Sequence, residues 1–163
     1  MDFTELSIKL SKISKDGFDA VVLLHVIEHF DKINSLLLFL KHIELYAKKI
    51  VKIETPNGFV KQSDTIENPY QEHKCGYRTE ELRKLGYKVS GTTGMKFLRN
   101  NYDKGSYKLD MFWIRAYGRL LFKYLHYFPR ISFNLFAYKI IQNTIKSPSF
   151  PPGRQLSKLN EKL

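Results

Sequence analysis

The run FDAVVLLHVIEHF, residues 18–30, constrains the fold of this chain more than any other stretch. Five consecutive apolar residues, two of them β-branched, stop abruptly at His25, Glu28 and His29. An uninterrupted apolar run of this length suits a strand covered on both faces, as in a parallel sheet. Residues 19–24 are therefore predicted to form a buried strand. In open α/β sheets the ligand crevice lies beyond the carboxyl ends of the strands. The polar cluster that follows the run then stands where chemistry is usually done. Only 17 residues precede it, and they contain no glycine-rich loop.

The next segments repeat an α/β rhythm. Asp31 is a good N-cap for a helix from 32 to about 49, with Ile33, Leu36, Leu37, Phe39, Leu40, Ile43 and Ala47 on a wide apolar face. Lys48 and Lys49 suit the negative end of that helix. Residues 50–55 read as a second strand, stopped by Pro56-Asn57-Gly58, because proline lacks a ladder amide and Asn-Gly tolerates positive φ. A long polar loop, 59–76, leads to a short helix that Thr79 caps and Gly86 closes. A third strand is expected at 87–92. This order implies a mostly parallel sheet with right-handed crossovers.

From residue 95 the pattern changes. Residues 110–126 read as a helix that is apolar nearly all round, ended by Pro129. Its exceptions Arg115, Arg119, Lys123 and His126 fall within about 80° of one another at ~100° per residue, a narrow basic stripe. Residues 131–141 alternate as a two-faced strand, expected to run antiparallel at or near a sheet edge. Residues 146–163 hold prolines and end polar, a flexible tail. One domain over 1–145 is expected, with a lid-like helical insertion at about 95–130.

Charge follows the same division. Residues 1–90 carry 14 Lys and Arg against 13 Asp and Glu, whereas residues 91–163 carry 13 against 3. Fourteen of the 23 aromatic residues also lie in the second part. A basic, aromatic half points to an anionic partner: a phosphate-bearing substrate, an anionic membrane surface or nucleic acid. The basic residues form a narrow line without an RNA-binding signature, which argues against nucleic acid. The single cysteine, Cys75, excludes an internal disulfide, and no metal site is expected. No signal-peptide core opens the chain, and no apolar run approaches the roughly 20 residues that span a bilayer, so cytoplasm, with a possible membrane-peripheral position, is the expected location.

Three strings, FDAVVLLHVIEHF (18–30), IETPNG (53–58) and H-x3-Y-x-TEELRKLGYKV (73–89), resemble the class I S-adenosylmethionine-dependent methyltransferases. The likeness is to the group acting on small molecules, quinone precursors and lipid or sugar intermediates. The resemblance implies an incomplete Rossmann-like sheet, mostly parallel with one antiparallel strand and a helical insertion. The first string is similar to the family's fourth strand, the second to its fifth, and the third to the helix and sixth strand that follow. Residues 131–141 look like the seventh strand, inserted antiparallel between the fifth and sixth. The likeness covers residues 2 to about 141, the C-terminal two-thirds of such a domain. It implies a fragment, a truncated product or one half of a split enzyme, completed by an upstream polypeptide. Without the family's first strand as neighbour, residues 19–24 would present a bare apolar edge, inviting dimerisation or dependence on a second chain.

The resemblance also implies roles. S-adenosylmethionine is the expected cofactor, with Asp2 and Phe3 at its adenine edge and Leu24 and His25 along its methionine end. Glu28 and Asn57 face the acceptor, a small molecule or a lipid- or sugar-linked one. His29 and His73 are candidate general bases, histidine being the residue type whose ordinary change of charge falls near physiological pH. Structural alternatives stand beside each role: a solvated terminal Asp2, a loop imidazole for His25, a Glu-His pair bracing its own loop, a plain turn asparagine at 57. A non-catalytic, membrane-peripheral or partner-binding module is the alternative for the whole chain.

Overall fold

The structure, a computed structural model of the 163-residue chain, describes residues 9–10, 12–14, 16–30, 33–63, 71–98 and 124–141. These form a mixed α/β sheet of four strands: β1 (Phe18–Leu24), β2 (Ala47–Pro56), β3 (Lys88–Met95) and β4 (Ser132–Ile140). Helix α1 (Ile33–Tyr46) joins β1 to β2, and the short helix α2 (Thr79–Lys84) precedes β3. The spatial order is β1-β2-β4-β3, with β1 parallel to β2 and β4 antiparallel to both β2 and β3. Three strands thus point one way and β4 the other. β4 is paired on both sides, between β2 and the edge strand β3, which agrees with the expectation of an antiparallel strand at or near a sheet edge. Its two-faced alternation reflected a strand with a packed face, which interior and edge strands share.

The core lies on one face. Leu36, Phe39, Leu40 and Ile43, at helical spacing on α1, are buried against Leu23, Val51 and Ile53. Leu82 of α2 extends the same cluster over Leu135 and Ala137 of β4. Each such side chain contributes about 1.5–3 kcal/mol on burial, so this layer carries the fold. The expectation that β1 is covered on both faces does not hold among the described residues. Its alternate side chains Val22 and Leu24 are 52% and 58% exposed on the opposite face. The apolar run was correctly read as a strand, but periodicity cannot report whether a second layer is present.

The first helix ends earlier than expected. Ala47 pairs with Phe18, so the chain at 47–49 is already strand. Gly17 makes this possible: at φ +80°, it passes so close to Tyr46 that a Cβ would stand 2.6 Å from the Tyr46 carbonyl oxygen. Lys49 consequently pairs with Asp19 across β1 and β2 at 3.1 Å and does not cap a helix. The cap of α2 is also corrected. Arg78, extended at φ −103° and ψ 164°, is the N-cap, and the Glu81 carboxylate accepts its backbone N–H at 2.7 Å. Thr79 is the first helical residue instead. Gly86, with φ +86°, follows the helix as expected. Asp2, Phe3, the capping Asp31, residues 110–123 of the basic-striped helix and the 146–163 tail lie outside the described residues.

Candidate functional site

The carboxyl ends of β1 and β2 carry the polar cluster. His25 continues the ladder by donating its N–H to the Glu54 carbonyl at 2.9 Å, then turns at φ +52°. A left-handed residue other than glycine is uncommon, and such positions concentrate at functional sites. The turn feeds a 3-10 helix, Ile27–His29, that places Glu28 in the interior at 1% exposure. Its carboxylate accepts from His25 Nδ1 at 3.0 Å through Oε1 and from the Thr55 hydroxyl at 3.1 Å through Oε2. Burial works to raise the Glu28 pKa, but the His25 hydrogen bond, a backbone amide and Thr55 together hold it below the usual carboxylate range. The same hydrogen bond raises the pKa of half-exposed His25, against a smaller lowering by burial. The Glu-His pair anticipated as a brace is present, but its histidine is His25, three residues before Glu28.

His29 and His73 meet from different segments, with ring centroids 5.1 Å apart at 70°. His29 Nδ1 faces the Glu72 carbonyl at 2.7 Å, and His73 Nδ1 faces the Val60 carbonyl at 2.8 Å. A carbonyl only accepts, so each ring donates through Nδ1 and, when neutral, offers a lone pair on Nε2. The loop carrying His73 is tied down by Lys74 and Cys75 N–H groups that both donate to the Glu28 carbonyl, at 2.9 and 3.1 Å. Gly76 lets it close. A Cβ there would stand 2.1 Å from the Phe59 backbone nitrogen, a position no side chain can occupy.

Glu28, His29 and His73 each offer a donor atom, all within 4.8 Å of one another. The sequence reading expected no metal site. Ligands about 2.0–2.2 Å from a zinc ion would have to close in further, and both Glu28 oxygens already have partners. As it stands the cluster holds a loop, and each of the two imidazoles, when neutral, keeps a lone pair on Nε2.

Asn57 does a different job. Its side-chain NH2 donates to the carbonyls of Pro129, Arg130 and Ser132 at 3.0, 3.1 and 2.8 Å. This fixes the chain entering β4 against the end of β2. A cavity of about 260 Å³ opens beside it, lined by Asn57, Arg78, Thr79, Glu80, Lys96 and Arg130. Of the expected site residues that are described, Asn57 alone lines this cavity. The others, Leu24, His25, Glu28, His29 and His73, gather at the neighbouring strand ends. The sequence reading missed Arg78, Lys96 and Arg130, whose available signal was a basic residue at the start or end of each predicted element around 78, 96 and 130.

No protein-family model matches the chain, and no curated protein sequence matches it. Among solved structures, the chain is similar to a SAM-dependent methyltransferase from Archaeoglobus fulgidus, at 15% identity and a TM-score of 0.41. The match covers 86% of this chain and 65% of that one. A likeness at that level does not extend to activity or substrate. Among the described residues no helix is long and apolar enough to cross a membrane.

Proposed function

We propose that this chain forms part of an S-adenosylmethionine-dependent methyltransferase acting on a small-molecule or lipid- or sugar-linked acceptor. The observation that carries the reading is the strand order β1-β2-β4-β3 with β4 antiparallel inside it. That is the arrangement expected from the resemblance of residues 18–30, 53–58 and 73–89. Leu24 and His25, both about half exposed at the carboxyl edge of β1, suit one wall of a site for the cofactor's methionine end. Asp2 and Phe3 are assigned to its adenine edge by the resemblance alone. Bound there, the cofactor would supply an electrophilic methyl on a sulfonium. Displacement at such a carbon needs mainly proximity and alignment. The residues of this chain would orient the acceptor and, where it must lose a proton, accept it at Nε2 of His29 or His73.

The test is calorimetric titration of S-adenosylmethionine into the chain, alone and with any polypeptide encoded immediately upstream supplied in trans. Saturable binding in either arm is expected. No heat in both arms would remove the assignment.

A second reading, a non-catalytic partner-binding or membrane-peripheral module, draws support from β1. It ends the sheet among the described residues, and Val22 and Leu24 are open beside its unpaired edge. Size-exclusion chromatography and co-sedimentation with anionic vesicles test it. A monomer that stays in the supernatant would discard it.

A further inference from the structure

We infer that the cavity between β2, α2, β3 and β4 is a phosphate-binding subsite formed by Arg78, Thr79, Lys96 and Arg130. This deepens the methyltransferase reading and rests on it for one point only, that the phosphate belongs to the acceptor. The topology brings four separate segments to one place. Asn57 follows the end of β2, and Lys96 follows the end of β3. Arg130 lies in the 3-10 turn ahead of β4, and Arg78 and Thr79 open α2. Because β4 is antiparallel, its start lies beside the ends of β2 and β3, at the carboxyl edge where open α/β sheets bind ligands.

Three cations face this cavity against one carboxylate. Glu80 is already held by Arg130, whose Nε donates to it at 2.6 Å. Among the described residues no carboxylate pairs with Arg78 or with the Lys96 ammonium, which donates only to the Asn57 carbonyl. Lys96 is half-buried, and burial, then the neighbouring Arg78 guanidinium, lowers its pKa. An anion between these two cations relieves both effects. The second observation is independent of charge. Thr79 is 1% exposed, it lines the cavity, and its hydroxyl has no hydrogen-bond partner among the described residues. Buried hydroxyls are nearly always paired, and each exception calls for an explanation. An oxyanion in the cavity supplies the missing acceptor.

The charge balance selects among oxyanions. Two uncompensated positive charges match a phosphate monoester, which carries about −1.5 to −2 at neutral pH, better than a monovalent carboxylate. A soluble sugar or small-molecule phosphate and a lipid headgroup share that chemistry.

The experiment follows backbone and Thr79 resonances by NMR as the full chain is titrated with inorganic phosphate, glycerol 3-phosphate, acetate and, separately, vesicles containing phosphatidic acid. Saturable shifts at Thr79 and Lys96 with both soluble phosphates, and weaker ones with acetate, are expected. If vesicles alone produce them, the source is a lipid headgroup; if the soluble esters suffice, it is a free phosphate. Losing one charge-assisted donor weakens binding by about tenfold, so Lys96→Gln and Arg78→Gln each reduce affinity by that factor. Thr79→Val weakens binding and Thr79→Ser retains it, which separates loss of the hydroxyl from misfolding. Absence of shifts with every phosphate, or equal affinity in Thr79→Val and the unmodified chain, overturns the subsite. Cofactor titration is a separate measurement, so a failed methyltransferase assignment and a failed phosphate site remain distinguishable.

Discussion

At the β1–β2 end of the carboxyl edge, both oxygens of Glu28 are taken, and the Nδ1 atoms of His25, His29 and His73 all face acceptors. At the β2–β4–β3 end, the Thr79 hydroxyl is buried without a partner and two cations lack counter-ions among the described residues. The two assemblies share one sheet edge and similar polar content. They differ in saturation. The first is a finished network, which braces a loop and leaves only imidazole Nε2 atoms to act. The second is incomplete, as a site is whose last partner is a ligand. Polar residues at a strand end therefore do not by themselves mark a binding site; their unspent hydrogen-bonding capacity does.

The contrast breaks most readily at Glu28. Glu28→Ala leaves the half-exposed His25 ring and the buried Thr55 hydroxyl without their acceptor, while the backbone carbonyl that anchors the His73 loop remains, and a buried donor left unsatisfied costs about 1–3 kcal/mol. Urea denaturation should register that loss at neutral pH. A change below about 1 kcal/mol, the level of an exposed ion pair, would mean the network is slack.

Asn57 holds the β2–β4–β3 end together, so its removal should be felt there and not in the Glu28 network. Asn57→Ala withdraws the donor shared by three carbonyls ahead of β4, at a cost of about 1–3 kcal/mol. It also frees Arg130 from its fixed turn. Hydrogen exchange should rise over residues 129–132 while the Glu28 network stays protected. Unchanged exchange at 129–132 would show that the turn is held by Ser132, whose hydroxyl also reaches the Pro129 carbonyl at 2.7 Å.

Much of this arrangement is legible in the chain itself. The run at 18–30 announces β1 because five apolar residues end at a polar cluster, and Pro56-Asn57-Gly58 announces the end of β2 because proline and glycine dictate backbone geometry locally. The end of α1 is not legible. Residues 47–49 are helix-compatible, and what makes them strand is pairing with Phe18 around Gly17, a contact between segments distant in sequence. The same limit applies to the sites. His25, Glu28 and His29 stand within five positions and are visible as a group. His73 joins them, and Arg78, Lys96 and Arg130 join each other, only through tertiary closure. Which of these groups is saturated depends on carbonyls, such as those of Val60 and Glu72, that no side-chain pattern encodes.

The pH dependence of stability tests the charge on the saturated network. His25 has its pKa raised above its ordinary value of 6.5, so its stabilising effect is complete below that pH and fades as pH rises through the raised value. Glu28 has its pKa lowered below 4.5, so its effect is complete above that pH and fades as pH falls through the lowered value. The pair is therefore worth most between about pH 4.5 and 6.5. The amplitude is small because half-exposed His25 is screened by solvent. Glu28→Gln should flatten the profile across this window. A profile of the same shape in the variant would assign the titration to other groups.

The smallest effect on stability is expected at Thr79, and its sign is the informative part. Thr79→Val keeps the β-branched shape and replaces a buried hydroxyl that has no partner among the described residues. Where a buried polar group is unsatisfied, substituting an apolar isostere removes a desolvation penalty, so the free chain should be unchanged or more stable by up to about 1 kcal/mol. The equivalent change in the saturated network, Thr55→Val, deprives Glu28 of a donor and should be destabilising. Denaturation midpoints of the two variants, measured in phosphate-free buffer, give the comparison directly. Opposite signs follow if Thr79 lies in an incomplete site and Thr55 in a finished one. Equal losses at both positions would mean that the Thr79 hydroxyl is already satisfied in solution, and the distinction between the two ends of the sheet would disappear.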